Sequence, residues 1–175
     1  PSLLPLYRGP TPVHAAILNG DAETGVTVMR LDARMDSGPI LAQERVPLLA
    51  DARNGPLTNE LFELGSRLLV EALAAYADGS LLPAPQDDTQ ATYCAMLQKR
   101  DGVIDWNASA AQIERMTRAY DPWPGAQTLW RGQPLKVIAA RAHPGWSGAA
   151  APGALLPQPD GLWVATGAGA LELIS

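Results

Sequence analysis

The chain has 175 residues, 47% of them hydrophobic, which is enough apolar material for a buried core in one or two domains. Charged residues make up 18%, the formal net charge is -5, and 16 glycines and 16 prolines punctuate the chain, so broad phosphate coating of nucleic acid and a coiled coil are both excluded. A single cysteine, Cys94, with only His14 and His143 beside it, excludes an internal disulfide and a Cys/His zinc site; no apolar run approaches the roughly 20 residues of a bilayer span, and a reducing, cytoplasmic setting is expected.

The first stretch, "PSLLPLYRGPTP", is a rigid, apolar, proline-bracketed loop. In "TPVHAAILNG" Thr11 can cap, Pro12 suits a first helical turn and Gly20 can terminate, which predicts a short helix. "TGVTVMRLD" alternates apolar Val26 and Val28 and predicts a strand, "PILAQERVPL" a second, and "ARMDSG" the tight connection between them. Leu57, Leu61, Leu64, Leu68, Ala72 and Tyr76 recur every three or four residues and predict a helix over 57–76. Periodicity then fails, and 83–100 reads as a linker between a region 1–82 and a region 101–175.

Beyond the linker, Ser109 and Gln112 have capping-box spacing ahead of a helix in "SAAQIERMTRAY". "AQTLWRGQPLKVIAARAH" predicts a hairpin turning near "RGQ", and "GALLPQPDGLWVATGAGALELIS" two or three more strands, together favouring a small barrel or sandwich. The chain stops inside the last of these strands, so its C-terminus is expected to be cut, and the opening loop reads as the inner edge of a site whose other edge lies upstream of Pro1.

Asp36 stands out among side chains that carry chemistry. It lies in "MDSGP", where a sharp turn can aim a carboxylate into a cleft, although an ordinary turn acid has the same spacing and Asp32 competes for the role. "SLLPLYRG" can line a pocket for a flat ring system with backbone groups supplying hydrogen bonds, or Leu3 and Leu4 can simply plug the core. His14 and His143 are candidate bases, with a structural role as the alternative for each.

Four ordered blocks, "SLLPLYRG", "GDAETGVTVMRLDARMDSGPIL", "ATYCAMLQKRDGVIDW" and "RAYDPWPGAQT", followed by "TGAGALEL", resemble the methionyl-tRNA formyltransferases over essentially the whole chain. That resemblance implies an α/β fold in which a partial Rossmann-like formyltransferase domain precedes a small OB-like β-barrel. It implies transfer of the formyl group of 10-formyltetrahydrofolate to the amino group of methionyl-initiator tRNA, by a monomer needing no metal. The family's catalytic trio is an Asn, a His two residues later and an Asp in an "MDxG" loop. The Asp corresponds to Asp36, while the His would immediately precede Pro1. Ser2, Leu3, Leu4 and Pro5 match the tetrahydrofolate-binding stretch. The chemistry needs such groups: an amine attacks the formyl carbon, Asn and His donate to the developing oxyanion, and Asp36 orients the imidazole, holds it protonated or shuttles a proton.

From Asp101 onward five basic residues face six acidic ones, so an RNA contact would have to be local, for instance at Lys99, Arg100, Arg115 and Arg118; ordinary solvated charge is the alternative. The competing functions are a formyltransferase acting on an amino sugar nucleotide, a formyltetrahydrofolate hydrolase, and, from a different class, a non-catalytic RNA-binding fragment.

Overall fold

Helix α1 (Pro12–Asn19) begins on a proline, whose missing N–H is no loss in a first turn, and ends at Gly20 in the left-handed region with φ +70°. The computed structural model describes residues 1–159 and 161–174, and the chain divides into two compact units, Pro1–Met96 and Leu97–Ser175. Thr11 precedes α1 without capping it: its hydroxyl donates to the Ala95 carbonyl at 2.8 Å, a long-range bond in place of the expected local one.

In the first unit, β1 (Glu23–Met29) and β2 (Ile40–Pro47) pair antiparallel, with a register shift between Val28 and Met29. Val26 and Val28 turn into the core, as their alternation requires. Helix α2 (Asn54–Ala77) lies against both strands. It starts three residues ahead of Leu57 because Gly55 and Pro56 fall in the first turn, where a proline is tolerated. Leu57, Leu61 and Ala72 are buried, Leu64 and Leu68 are half-buried, and Tyr76 at the end of the stripe is 37% exposed.

Residues 78–96 carry only a short 3-10 turn at Asp88–Gln90, yet they are fixed in place. Ala84 exchanges two backbone bonds with Ile40 at 2.7 and 2.8 Å, Thr92 accepts from the Arg8 N–H at 2.9 Å, and the Cys94 N–H returns to the Arg8 carbonyl at 2.9 Å. Most of the stretch read as a linker is therefore part of the first unit. Its order comes from pairing with distant loops, which leaves no period in the sequence.

In the second unit helix α3 (Ala110–Ala119) is capped by the reciprocal box that the sequence predicts: Ser109 Oγ accepts from the Gln112 N–H, and Gln112 Oε1 accepts from the Ser109 N–H at 3.0 Å. Strands β3 (Ala126–Trp130) and β4 (Gln133–Val137) form a hairpin with both turn residues, Arg131 and Gly132, at positive φ. The predicted hairpin does not extend to His143. After Ile138 the chain enters β5 (Ala139–His143), which pairs with β8 (Ala170–Ile174) in a second sheet ordered β5-β8-β7-β6, with β6 at Leu155–Gln158 and β7 at Gly161–Ala165. Among the described residues the unit thus has two antiparallel sheets, of two and four strands, one α-helix and a short 3-10 helix at Lys99–Gly102. Ile104, Ile113, Ala126, Val137 and Leu171 form its core, with Trp106 and Met116 packed against them.

Candidate functional site

Asp36 lies on the connection between β1 and β2 with φ +53°, a left-handed conformation uncommon outside glycine. Its carboxylate Oδ2 accepts the backbone N–H of Gly9 at 2.7 Å. Both flanks explain their glycines. A Cβ on Gly38 would collide with the Arg30 carbonyl oxygen, and one on Gly9, at φ +125°, would collide with that of Cys94. Asp32 is engaged within its own loop, accepting from the Ser37 hydroxyl at 2.8 and 2.9 Å and from the Arg34 N–H at 2.9 Å. The Ser37 bond, followed by the Arg34 amide, holds the Asp32 carboxyl below the usual range.

The loop bearing Ser2, Leu3, Leu4 and Pro5 is seated beside β1, and its first three residues are buried. Leu3 covers the bare backbone of Gly25. Thr27 Oγ1 donates to the Ser2 carbonyl at 2.7 Å and accepts the Leu4 N–H at 3.2 Å; Gln43 Nε2 donates to the Leu4 carbonyl at 2.9 Å, and the Thr92 N–H to the Pro5 carbonyl at 3.2 Å. The two leucines are core residues, and several main-chain groups that the sequence offers to a ring ligand are engaged within the protein. The result is a preformed edge beside β1.

Behind this edge a hydrogen-bonded charge network is built around the buried Arg8, with Gln86, Asp88 and Tyr93 as its partners. Arg8 is 1% exposed. Its Nε and one terminal nitrogen donate to Gln86 Oε1 at 3.1 and 2.8 Å, the same terminal nitrogen reaches Asp88 Oδ1 at 2.7 Å, and the other donates to the Tyr93 hydroxyl at 3.3 Å. Burial opposes the Arg8 charge, but the bonds to Asp88 and Tyr93 outweigh it and raise its pKa; Arg8 in turn holds the Asp88 carboxyl low. Gln86 Nε2 points the other way and donates to the carbonyls of Asp36 at 2.9 Å and Gly38 at 2.7 Å. Nothing in the composition of "PAPQDD" marks Gln86, since its partners are main-chain oxygens some fifty residues away.

The histidines lie on other features. His14 sits on α1, and burial lowers its pKa, favouring the neutral ring. His143 belongs to the second unit, where it stacks on Trp163 at 3.8 Å and shares a 2.8 Å bond with Glu172. In the proposed basic patch, Arg118 is committed to Glu114 at 2.6 Å along α3. A groove of about 690 Å³ runs between β2 and the start of α2, past Val46, Leu49, Leu57 and Leu61; neither Asp36 nor the Ser2 to Pro5 loop lines it. Among the described residues no group of three or more His, Cys, Asp or Glu side chains converges on a metal-sized site.

Residues 1–73 match the family model for formyl transferase, and residues 96–175 match the one for the formyl transferase C-terminal domain. The chain belongs to the formyl transferase family. A methionyl-tRNA formyltransferase of Roseiflexus sp. (strain RS-1) is 62% identical over 175 residues, covering all of this chain and 54% of that protein. The chain spans about half the length of the curated relatives it matches. Its fold is shared with an N-formyltransferase from Helicobacter canadensis in complex with folinic acid and dTDP-3-aminofucose, at TM-score 0.76 and 18% identity over 98% of this chain and 63% of that one. HypX from Aquifex aeolicus in complex with tetrahydrofolic acid superposes with TM-score 0.69 at 24% identity, over 95% of this chain and 29% of that one. In this formyl transferase chain, Asp36 and the Ser2 to Pro5 loop lie inside the first matched region, whereas Gln86 and Asp88 fall between the two.

Proposed function

We propose that the chain supplies the second half of the catalytic domain and the C-terminal domain of a methionyl-tRNA formyltransferase, an enzyme that moves the formyl group of 10-formyltetrahydrofolate onto the amino group of methionyl-initiator tRNA in the cytoplasm. The observation that carries this is the 62% identity to the Roseiflexus enzyme over all 175 residues, Asp36 and the Ser2 to Pro5 loop included. In this reading residues 1–82 belong to a Rossmann-like catalytic domain, and 101–175 form an OB-like domain supported by antiparallel strands packed with one helix. The protein works as a monomer.

Asp36 is the catalytic carboxylate. Its carboxylate is bonded by the Gly9 N–H, on the loop that the family's histidine would immediately precede. There it can orient an imidazole or hold a proton while the amine attacks and the folate nitrogen departs. Ser2, Leu3, Leu4 and Pro5 act as a rigid wall for the folate ring, their main chain already fixed by Thr27 and Gln43.

The test is formylation of charged initiator tRNA by the full-length protein carrying these residues, with an amino sugar nucleotide as a parallel acceptor and folate hydrolysis followed in the absence of either. Formyl-methionine formation that falls roughly a hundredfold or more in Asp36→Asn supports the assignment. Formylation of the sugar, or hydrolysis alone, replaces the acceptor; an unaffected Asp36→Asn removes the residue from the mechanism.

A further inference from the structure

Gln86 lies outside every block that carries the family resemblance, yet it grips the main chain of the Asp36 loop through two bonds from its amide nitrogen, to the carbonyls of Asp36 and Gly38. Its amide oxygen is claimed by two nitrogens of Arg8. Arg8 has only donors, so the oxygen must face it and the amide hydrogens must face the loop. Arg8 itself is buried and braced by Asp88 and Tyr93, and its neighbour in sequence, Gly9, donates to the Asp36 carboxylate. The loop is thus gripped at its main chain by Gln86 and at its carboxylate by Gly9, and both grips are tied to Arg8.

We propose that Gln86 is a positioning residue that, anchored by Arg8, holds the Asp36 loop in its left-handed turn and aims the carboxylate. This rests on the reading of Asp36 as catalytic. A left-handed aspartate persists only where its surroundings over-determine it, and two donors from one half-buried amide provide that constraint.

The variant Gln86→Glu separates positioning from folding. A carboxylate keeps its pairing with Arg8 but has no N–H for the two loop carbonyls. In the full-length protein it is expected to melt close to wild type while kcat falls roughly tenfold or more and KM for the folate donor stays nearly constant. Gln86→Met, similar in length and without donors, gives the same loss if Gln86→Glu does not fold. In both variants the Gly9 amide proton, deshielded by the carboxylate in wild type, should move upfield and exchange faster by NMR. A kcat within about twofold of wild type in both variants overturns the proposal. So does a loss of activity with the Gly9 amide unmoved, or one that simply tracks melting temperature. If wild type transfers no formyl group to Met-tRNA, the proposed function fails, and the Gly9 resonance still decides whether Gln86 holds Asp36.

Discussion

The Gly9 N–H meets the Asp36 carboxylate at 2.7 Å, joining the loop before α1 to the loop between β1 and β2 across 27 residues of sequence. Gly9 holds φ +125° and packs against the Cys94 carbonyl. Gly9→Ala therefore combines backbone strain with a main-chain collision, and about 2 kcal/mol or more of stability is expected to be lost. Thermal unfolding should show the first unit melting roughly 10 °C earlier. An unchanged melting temperature would mean that the loop relaxes without cost.

Leu3 and Leu6 are neighbours in the same loop with opposite surroundings, 7% and 39% exposed. Leu3→Ala should cost about 3 kcal/mol by opening a cavity beside Gly25, whereas Leu6→Ala should change stability by less than about 0.5 kcal/mol. Urea unfolding of both variants gives the comparison. Equal effects would contradict the assignment of Leu3 to the core.

Acid should weaken the first unit through Asp32 and Asp88. Both carboxyls are held low in the fold, Asp32 first by the Ser37 hydroxyl and Asp88 first by Arg8. A folded value below the unfolded one means the contribution is complete above the ordinary carboxylate pKa of about 3.9 and disappears as pH falls through the lower folded value. Denaturation midpoints at about pH 5.5 and about pH 3 should differ, and Arg8→Met should reduce the Asp88 share of that difference. A midpoint that does not move in acid would show that these bonds stabilise neither charge.

Ser109 and Gln112 cap α3 reciprocally. Ser109→Ala removes an acceptor for an otherwise orphan N–H at the helix start and should cost about 1 kcal/mol. Because the cap precedes Ile113, which is 2% exposed, the loss should appear in the melting of the second unit. In a double-mutant cycle, Gln112→Ala should be less than additive with it, since each residue completes the other's bond.

Short-range physics was legible in the chain from the outset. Pro12 and Gly20 bracket α1, the Ser109 and Gln112 spacing becomes a real capping box, and the Leu57 to Ala72 stripe faces the β1 and β2 hairpin, because each depends on neighbours within about one or two helical turns. Tertiary contacts decided the rest. Thr11 gave up its cap for Ala95, the unpatterned stretch after α2 was fixed by Ile40 and Arg8, and the predicted long hairpin broke after β4 as β5 joined a different sheet. Asp32 and Asp36 have equal claims in sequence; they differ in the fold because Asp32 finds its donors within five residues, while Asp36 is met by Gly9 and its loop by Gln86 from distant segments. Hydrogen bonds to main-chain groups leave no complementary side chain to be read in the sequence, so this clamp could be seen only once the chain had folded.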